Sequence, residues 1–287
     1  MGNIFKASLF KMVKDVAFRI TLIIGGAFAV IMTGLYFVMD LAFSEAGVMA
    51  HYYLNGPSML INSLSPMQNF GFILPIMLII FIALEFTQGI VRNKIISGYS
   101  KTQIYFGLLF SALVFTFGVL IAYVLLCTFL GFVFTGFQLS DEYMVGLFTL
   151  GNMSFSYLIK LISVAVVTYL GIVTYTVFIV TSFRSVGPCI PLVMVVLMAL
   201  YLVASLVNTF ASLEELGLDA GSAQTALKVV MILDPLFGLT GGTVVESGSS
   251  NLTIDLDVFI SCIVNNVVYA TIFTVGGALL FNKRDVK

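Results

Sequence analysis

Charge is scarce in this chain. Only 9% of its 287 residues are Asp, Glu, Lys or Arg, against a mean hydropathy of +1.11 and a hydrophobic share of 60%. Soluble domains carry about 25% charged residues, so a water-soluble globule is excluded. Histidine is nearly absent too. His51 is the only one, which rules out the paired-histidine metal motifs. Cys127, Cys189 and Cys262 are odd in number, lack paired spacing and sit in apolar runs, so they read as small core hydrophobes rather than a disulfide framework or zinc site. Acidic residues are almost missing from the apolar runs, which removes the parts of a proton relay or a carboxylate-lined ion path. No nucleotide-binding GxxxxGK[ST] loop occurs; Gly98-Tyr99-Ser100-Lys101-Thr102 has the final Lys-Thr without the spaced glycine. A net charge of −1 gives no reason to expect nucleic acid as a partner.

What is present is a series of long apolar runs. A helix needs about 20 apolar residues to cross the hydrocarbon, and six stretches meet the need: 20–38, 70–86, 104–134, 157–181, 188–208 and 258–281. The expectation is one all-α transmembrane domain over 1–287, with six spans. Pro75, Pro188 and Pro191 predict kinks in or at the head of two of them. Residues 1–19 place Ile4, Phe5, Leu9, Met12, Val13 and Val16 at helical spacing, with Lys6, Lys14 and Asp15 on the other face. That pattern predicts an amphipathic helix lying in the interface, with the topology beginning at Met1 and no cleaved signal. Between spans one and two, Asn55-Gly56-Pro57 reads as a turn. The 209–257 loop holds an apolar stretch, 226–239, broken by Asp234-Pro235; it is too short to cross and is expected to be re-entrant or surface-lying.

Lysine and arginine set the orientation. Eleven of the thirteen fall in the N-terminal arm, the 87–103 loop, the loop at Arg184 and the tail after residue 282. Both termini and these loops are therefore expected on the cytoplasmic side of a cell membrane. Residues 85–101 are the one long basic interruption between apolar runs, and a short helix ended by Gly98, with Lys101 opening the third span, is expected there. Glu85 at the span end is expected to meet water, and an ion pair with Arg92 would require the helix to run through Gly89. Within span four, Ser163, Thr168, Thr174 and Thr176 either line a path or serve ordinary helix packing.

The pattern Glu85-x3-Gly89-x2-Arg92-Asn93-Lys94-x3-Gly98-x-Ser100-Lys101, followed by Ile104-Tyr105, resembles the ABC-2 type permease family. The likeness is strongest to bacterial permeases of bacitracin and lantibiotic self-protection and of cytolytic-peptide export. The ending Gly276-Gly277-Ala278-Leu279-Leu280-Phe281-Asn282-Lys283-Arg284-Asp285 is similar to that family's close. Lys101 departs from the arginine often found there, which keeps charge but gives up a bidentate contact. The resemblance implies an ABC-2 exporter fold in the bacterial cytoplasmic membrane and no catalysis in this chain. It implies a separate ABC ATP-binding subunit that binds ATP and Mg, a second permease copy, surrounding lipid, and an amphipathic peptide or lipophilic antibiotic as cargo. Glu85, Gly89, Arg92, Asn93, Lys94, Gly98 and Lys101 would form the coupling segment. Alternatives are a non-transporting membrane sensor or assembly partner of such an ATPase, and a secondary transporter; the second would be expected to show internal repeats and intramembrane charges.

Overall fold

Asp15 divides the start of the chain. Residues 10–14 are helical and stop there, and the Asp15 carboxylate accepts a hydrogen bond from the Ala17 N–H at 2.9 Å, capping the next helix. That helix, α1, runs Val16–Glu45. The surface helix expected over 1–19 therefore ends five residues earlier, because an aspartate side chain competes for the backbone N–H groups at this point. The computed structural model describes residues 10–45, 56–64, 69–135, 155–215, 243–245, 252–254 and 256–283. The start of the surface helix and the expected re-entrant stretch 226–239 lie outside them.

The further helices are α2 (Gly56–Leu64), α3 (Ile73–Thr87), α4 (Ile90–Ile96), α5 (Lys101–Thr135), α6 (Phe155–Phe183), α7 (Val186–Glu215) and α8 (Leu256–Lys283). Ahead of α8, β1 (Thr243–Val245) and β2 (Leu252–Ile254) form a short antiparallel hairpin, with Val244 opposite Thr253. Of the expected turn Asn55-Gly56-Pro57, Asn55 lies outside the described residues, and Gly56 and Pro57 open α2. Proline suits the first turn of a helix, where its missing N–H has no partner to lose. Gly56 lies against the Phe132 ring, where a Cβ would come within 2.5 Å. Of the three prolines expected to kink spans, Pro75 and Pro188 fall in the first turns of their helices, and Pro191 lies inside one.

Among the described residues, five helices, α1, α5, α6, α7 and α8, are long and apolar enough to cross a membrane. The α3 helix has 15 residues, about 22 Å at 1.5 Å each, and falls short of the ~30 Å hydrocarbon alone. The 3₁₀ turn Asn69–Phe72 adds about 8 Å in front of it. Behind it, α3 and α4 form a pair bent by 49°.

At the centre stands α6. Of its most apolar stretch, 61% is buried, against 17% for α1, α7 and α8. It packs on α3, α5, α7 and α8, with Val164, Tyr169, Val173 and Val177 inside. The outer helices turn Ile23, Val30, Ile31, Val195, Leu202, Val264 and Ile272 outward. So continuous an apolar surface is untenable in water and is what a lipid-facing helix presents. Buried hydroxyls bond back along their own helices, as Thr33 does to Ala29 O and Thr181 to Val177 O, both at 2.8 Å. Such back-bonding satisfies a polar group where no water is available.

Candidate functional site

Two glycines shape the segment between α3 and α5. Gly89 has φ +68° and Gly98 φ +85°, the left-handed region that other residues reach at a cost of roughly 1–2 kcal/mol. The α3 helix ends with Gly89 N–H donating to Phe86 O at 3.1 Å. At Gly89 the axis turns, so no helix runs on from Glu85 to Arg92. The α4 helix closes in a Schellman arrangement: Gly98 N–H reaches Ile95 O at 2.9 Å and Tyr99 N–H reaches Lys94 O at 3.3 Å. Ser100 then opens α5. Its hydroxyl accepts from Gln103 N–H at 3.3 Å, and its own N–H donates to Gln103 Oε1 at 3.2 Å, a reciprocal capping box.

A Cβ at Gly98 meets nothing within 4 Å, so its substitution tests backbone strain alone. Gly98→Ala is expected to cost about 1 kcal/mol in reversible unfolding from mixed micelles, and Gly98→Asn, which tolerates the left-handed region, less. Equal stability of all three proteins would show that the turn does not need the positive φ.

The bend brings Glu85 under α4. Its carboxylate is only 1% exposed, contrary to the expectation that water reaches it at the span end. Lys94 Nζ donates to Oε2 at 2.8 Å, and Lys11 Nζ, from the helix ahead of α1, stands 3.2 Å from Oε1. Arg92, which could have paired with Glu85 only through a helix continuous across Gly89, points outward. Lys11 Nζ is itself buried and makes no hydrogen bond, so Lys94 is the closer-held of the two lysines. One carboxylate thus holds the short helix 10–14, the end of α3 and the underside of α4 together.

Val91, 1% exposed, seats α4 against the bundle. Its other side presents Arg92 and Asn93, then Ile96 at 73% exposure, with Tyr99 just beyond at 37%. A small apolar patch beside a guanidinium at the end of a membrane bundle has the composition of a protein contact.

Lys101 faces elsewhere. Its Nζ donates to Asn282 O at 3.2 Å, a cation at the carboxyl end of α8, where the helix dipole favours it. Asn282 Nδ2 also donates to Thr102 Oγ1 at 3.0 Å. The start of α5 and the end of α8 are thereby clasped on the same side as α4.

Of the residues singled out in the sequence, Glu85, Gly89, Lys94 and Gly98 shape or hold α4, Arg92 and Asn93 are exposed on it, and Lys101 joins α8. The sequence also placed Ile95 and Ile96 on the surface of this helix, and Ile96 is exposed there; Lys11, Thr102, Tyr99 and Asn282 escaped sequence reasoning. The Ser100-x-x-Gln103 capping signal was readable; the Lys11 and Asn282 contacts, 74 and 181 residues from their partners, carry no local signal.

The four span-four hydroxyls do not converge. Ser163 donates to Ile159 O at 2.7 Å, Thr174 to Leu170 O at 3.0 Å and Thr176 to Ile172 O at 2.7 Å, while Thr168 lies 3.8 Å from Cys262 Sγ. None lines the hollows found beside α8. Among the described residues, no three His, Cys, Asp or Glu side chains gather as a metal site requires.

Compared with protein-family models, with curated proteins and with solved structures, the chain matches none.

Proposed function

We propose that this chain is the membrane-spanning subunit of an ATP-driven exporter, with the exposed side of α4 as the surface that receives a separate ATP-binding subunit. In this reading α3 and its preceding turn complete a sixth crossing, both termini face the cytoplasm, and two copies pair about the path. The cargo is an amphipathic peptide or lipophilic antibiotic, since the spans hold almost no fixed charge. One observation carries the reading: α4 is a short helix fixed at both ends by left-handed glycines and locked from beneath by Lys94 on buried Glu85, with Arg92, Asn93 and Ile96 left outward. A helix held this way passes a push to α3, to the surface helix through Lys11, and to α5 and α8 through the Asn282 clasp.

The test co-purifies the full chain with a candidate ABC ATP-binding subunit and measures hydrolysis in lipid. Arg92→Glu with Ile96→Asp is expected to lower stimulated hydrolysis roughly tenfold or more, the loss that about 1.4 kcal/mol of contact energy would produce. Stimulated hydrolysis at the wild-type level, with the complex intact, would sink the assignment of α4. Uptake of peptide into inverted vesicles then separates an exporter from a sensor that uses the same contact.

A further inference from the structure

Two hollows lie beside α8 and share Phe273. The first, about 190 Å³, sits between α6, α7 and α8 near their midpoints, lined by Gly171, Tyr175, Leu200, Asn266 and Phe273 among others. It exists because α7 and α8 both pack on α6 and hardly touch each other. The second, about 420 Å³, is an open groove between Phe178 of α6 and Phe273, Gly276, Leu279 and Leu280 of α8, and it ends at Lys283. A Cβ at Gly276 would stand 3.7 Å from the Phe178 ring, so the missing side chain helps to keep the groove open.

The dimensions fit a lipid. From Phe273 to Lys283 is ten residues of helix, about 15 Å, which is half of a ~30 Å hydrocarbon core. The groove therefore spans one leaflet, apolar along its length and cationic at its mouth. The mouth lies on the α4 side, as the clasp between Lys101 and Asn282 requires. The described carboxylates on that side are Asp15, which caps α1, and Glu85, which holds two lysines. A second copy of the chain thus brings no free described carboxylate to Lys283, whereas an anionic lipid brings its phosphate.

We propose that this groove is a binding site for an anionic glycerophospholipid of the leaflet on the α4 side, one acyl chain lying against Gly276 and Phe273 and the phosphate on Lys283. The site depends on the helices spanning a membrane and not on the ATPase reading, so lost or retained stimulation of hydrolysis does not bear on it.

The chain has no tryptophan, which makes the test direct. Leu279→Trp places a single fluorophore in the groove, and Ile23→Trp places one on the exposed face of α1 near the same leaflet. Each full-length variant goes into phosphatidylcholine vesicles holding a small fraction of lipid with brominated chains, either phosphatidylglycerol or phosphatidylcholine. In the Leu279→Trp protein, brominated phosphatidylglycerol is expected to quench at roughly fivefold lower mole fraction than brominated phosphatidylcholine, the preference one surface lysine supplies. In the Ile23→Trp protein the two lipids are expected to quench alike, and adding Lys283→Gln to the groove variant is expected to abolish its preference. Leu280→Trp serves if the first variant does not fold. Equal quenching by both lipids in the groove would overturn the proposal as ordinary lipid contact; no quenching by either would overturn it by showing that protein covers the groove.

Discussion

A chain carrying Lys11→Gln and Lys94→Gln together is expected to unfold about 3–5 kcal/mol more easily than the wild type, while each single change costs about 1–2 kcal/mol. The inequality follows from one carboxylate having two cationic partners. With either lysine in place, Glu85 keeps a counter-charge within 3.2 Å. With both gone, a carboxyl group that is 1% exposed loses both of its counter-charges, the situation in which removing partners does most harm. The same logic predicts a rescue. Adding Glu85→Gln to the double variant removes the unpaired buried carboxyl and is expected to restore most of the loss. Glu85→Gln alone is expected to cost less than the double lysine change, because a lysine can extend its stem toward water and a short buried carboxylate cannot. Reversible unfolding in mixed micelles reads all of these proteins. Additive single effects, or a rescue that fails, would mean that water reaches Glu85 after all.

The second large effect is steric. Gly277 of α8 lies where the Tyr105 side chain of α5 crosses, and Tyr105 is fully buried with its hydroxyl directed to Phe273 O at 3.4 Å. A Cβ on residue 277 would overlap the Tyr105 hydroxyl oxygen and stand 2.8 Å from Cζ. Gly277→Ala is therefore expected to cost about 1–3 kcal/mol, as overpacking of a filled interior does. Gly276→Ala, one residue away, is expected to be nearly silent, since its new methyl would meet only the Phe178 ring at 3.7 Å. In a Tyr105→Phe background the cost of Gly277→Ala is expected to fall, because the worst overlap is with the hydroxyl; a double-mutant cycle measures the coupling. If both glycines tolerate alanine equally, α5 and α8 do not cross as closely as described.

Much of the architecture could be read from run length. Long uninterrupted apolar stretches leave a chain no choice but helices facing lipid, and α1, α5, α6, α7 and α8 each extend a few residues beyond the expected limits. Gly98 as a helix stop and Lys101 as a helix start were also legible, because left-handed caps and helix N-termini have local chemistry. The site was only half legible. Arg92 and Lys94 look alike as basic loop residues, yet one is exposed and the other is turned inward by the bend at Gly89. That difference depends on a 49° change of axis, and its second anchor, Lys11, comes from a helix that the apolar pattern alone could not place against α3. Likewise, a glycine pair in a span announces close approach but not which of the two a tyrosine occupies.

The clasp between α5 and α8 also bears on how the protein is made. Lys101 and Thr102 wait for Asn282, 181 and 180 residues later. At ~5–20 residues per second of synthesis, that wait is roughly 10–40 s. Over that interval α4 can already fold back on Glu85, since both lie within one short stretch, while the end of α8 does not yet exist. Assembly of this surface is therefore ordered: the local lock forms early, and the joint that ties it to the rest of the bundle closes last.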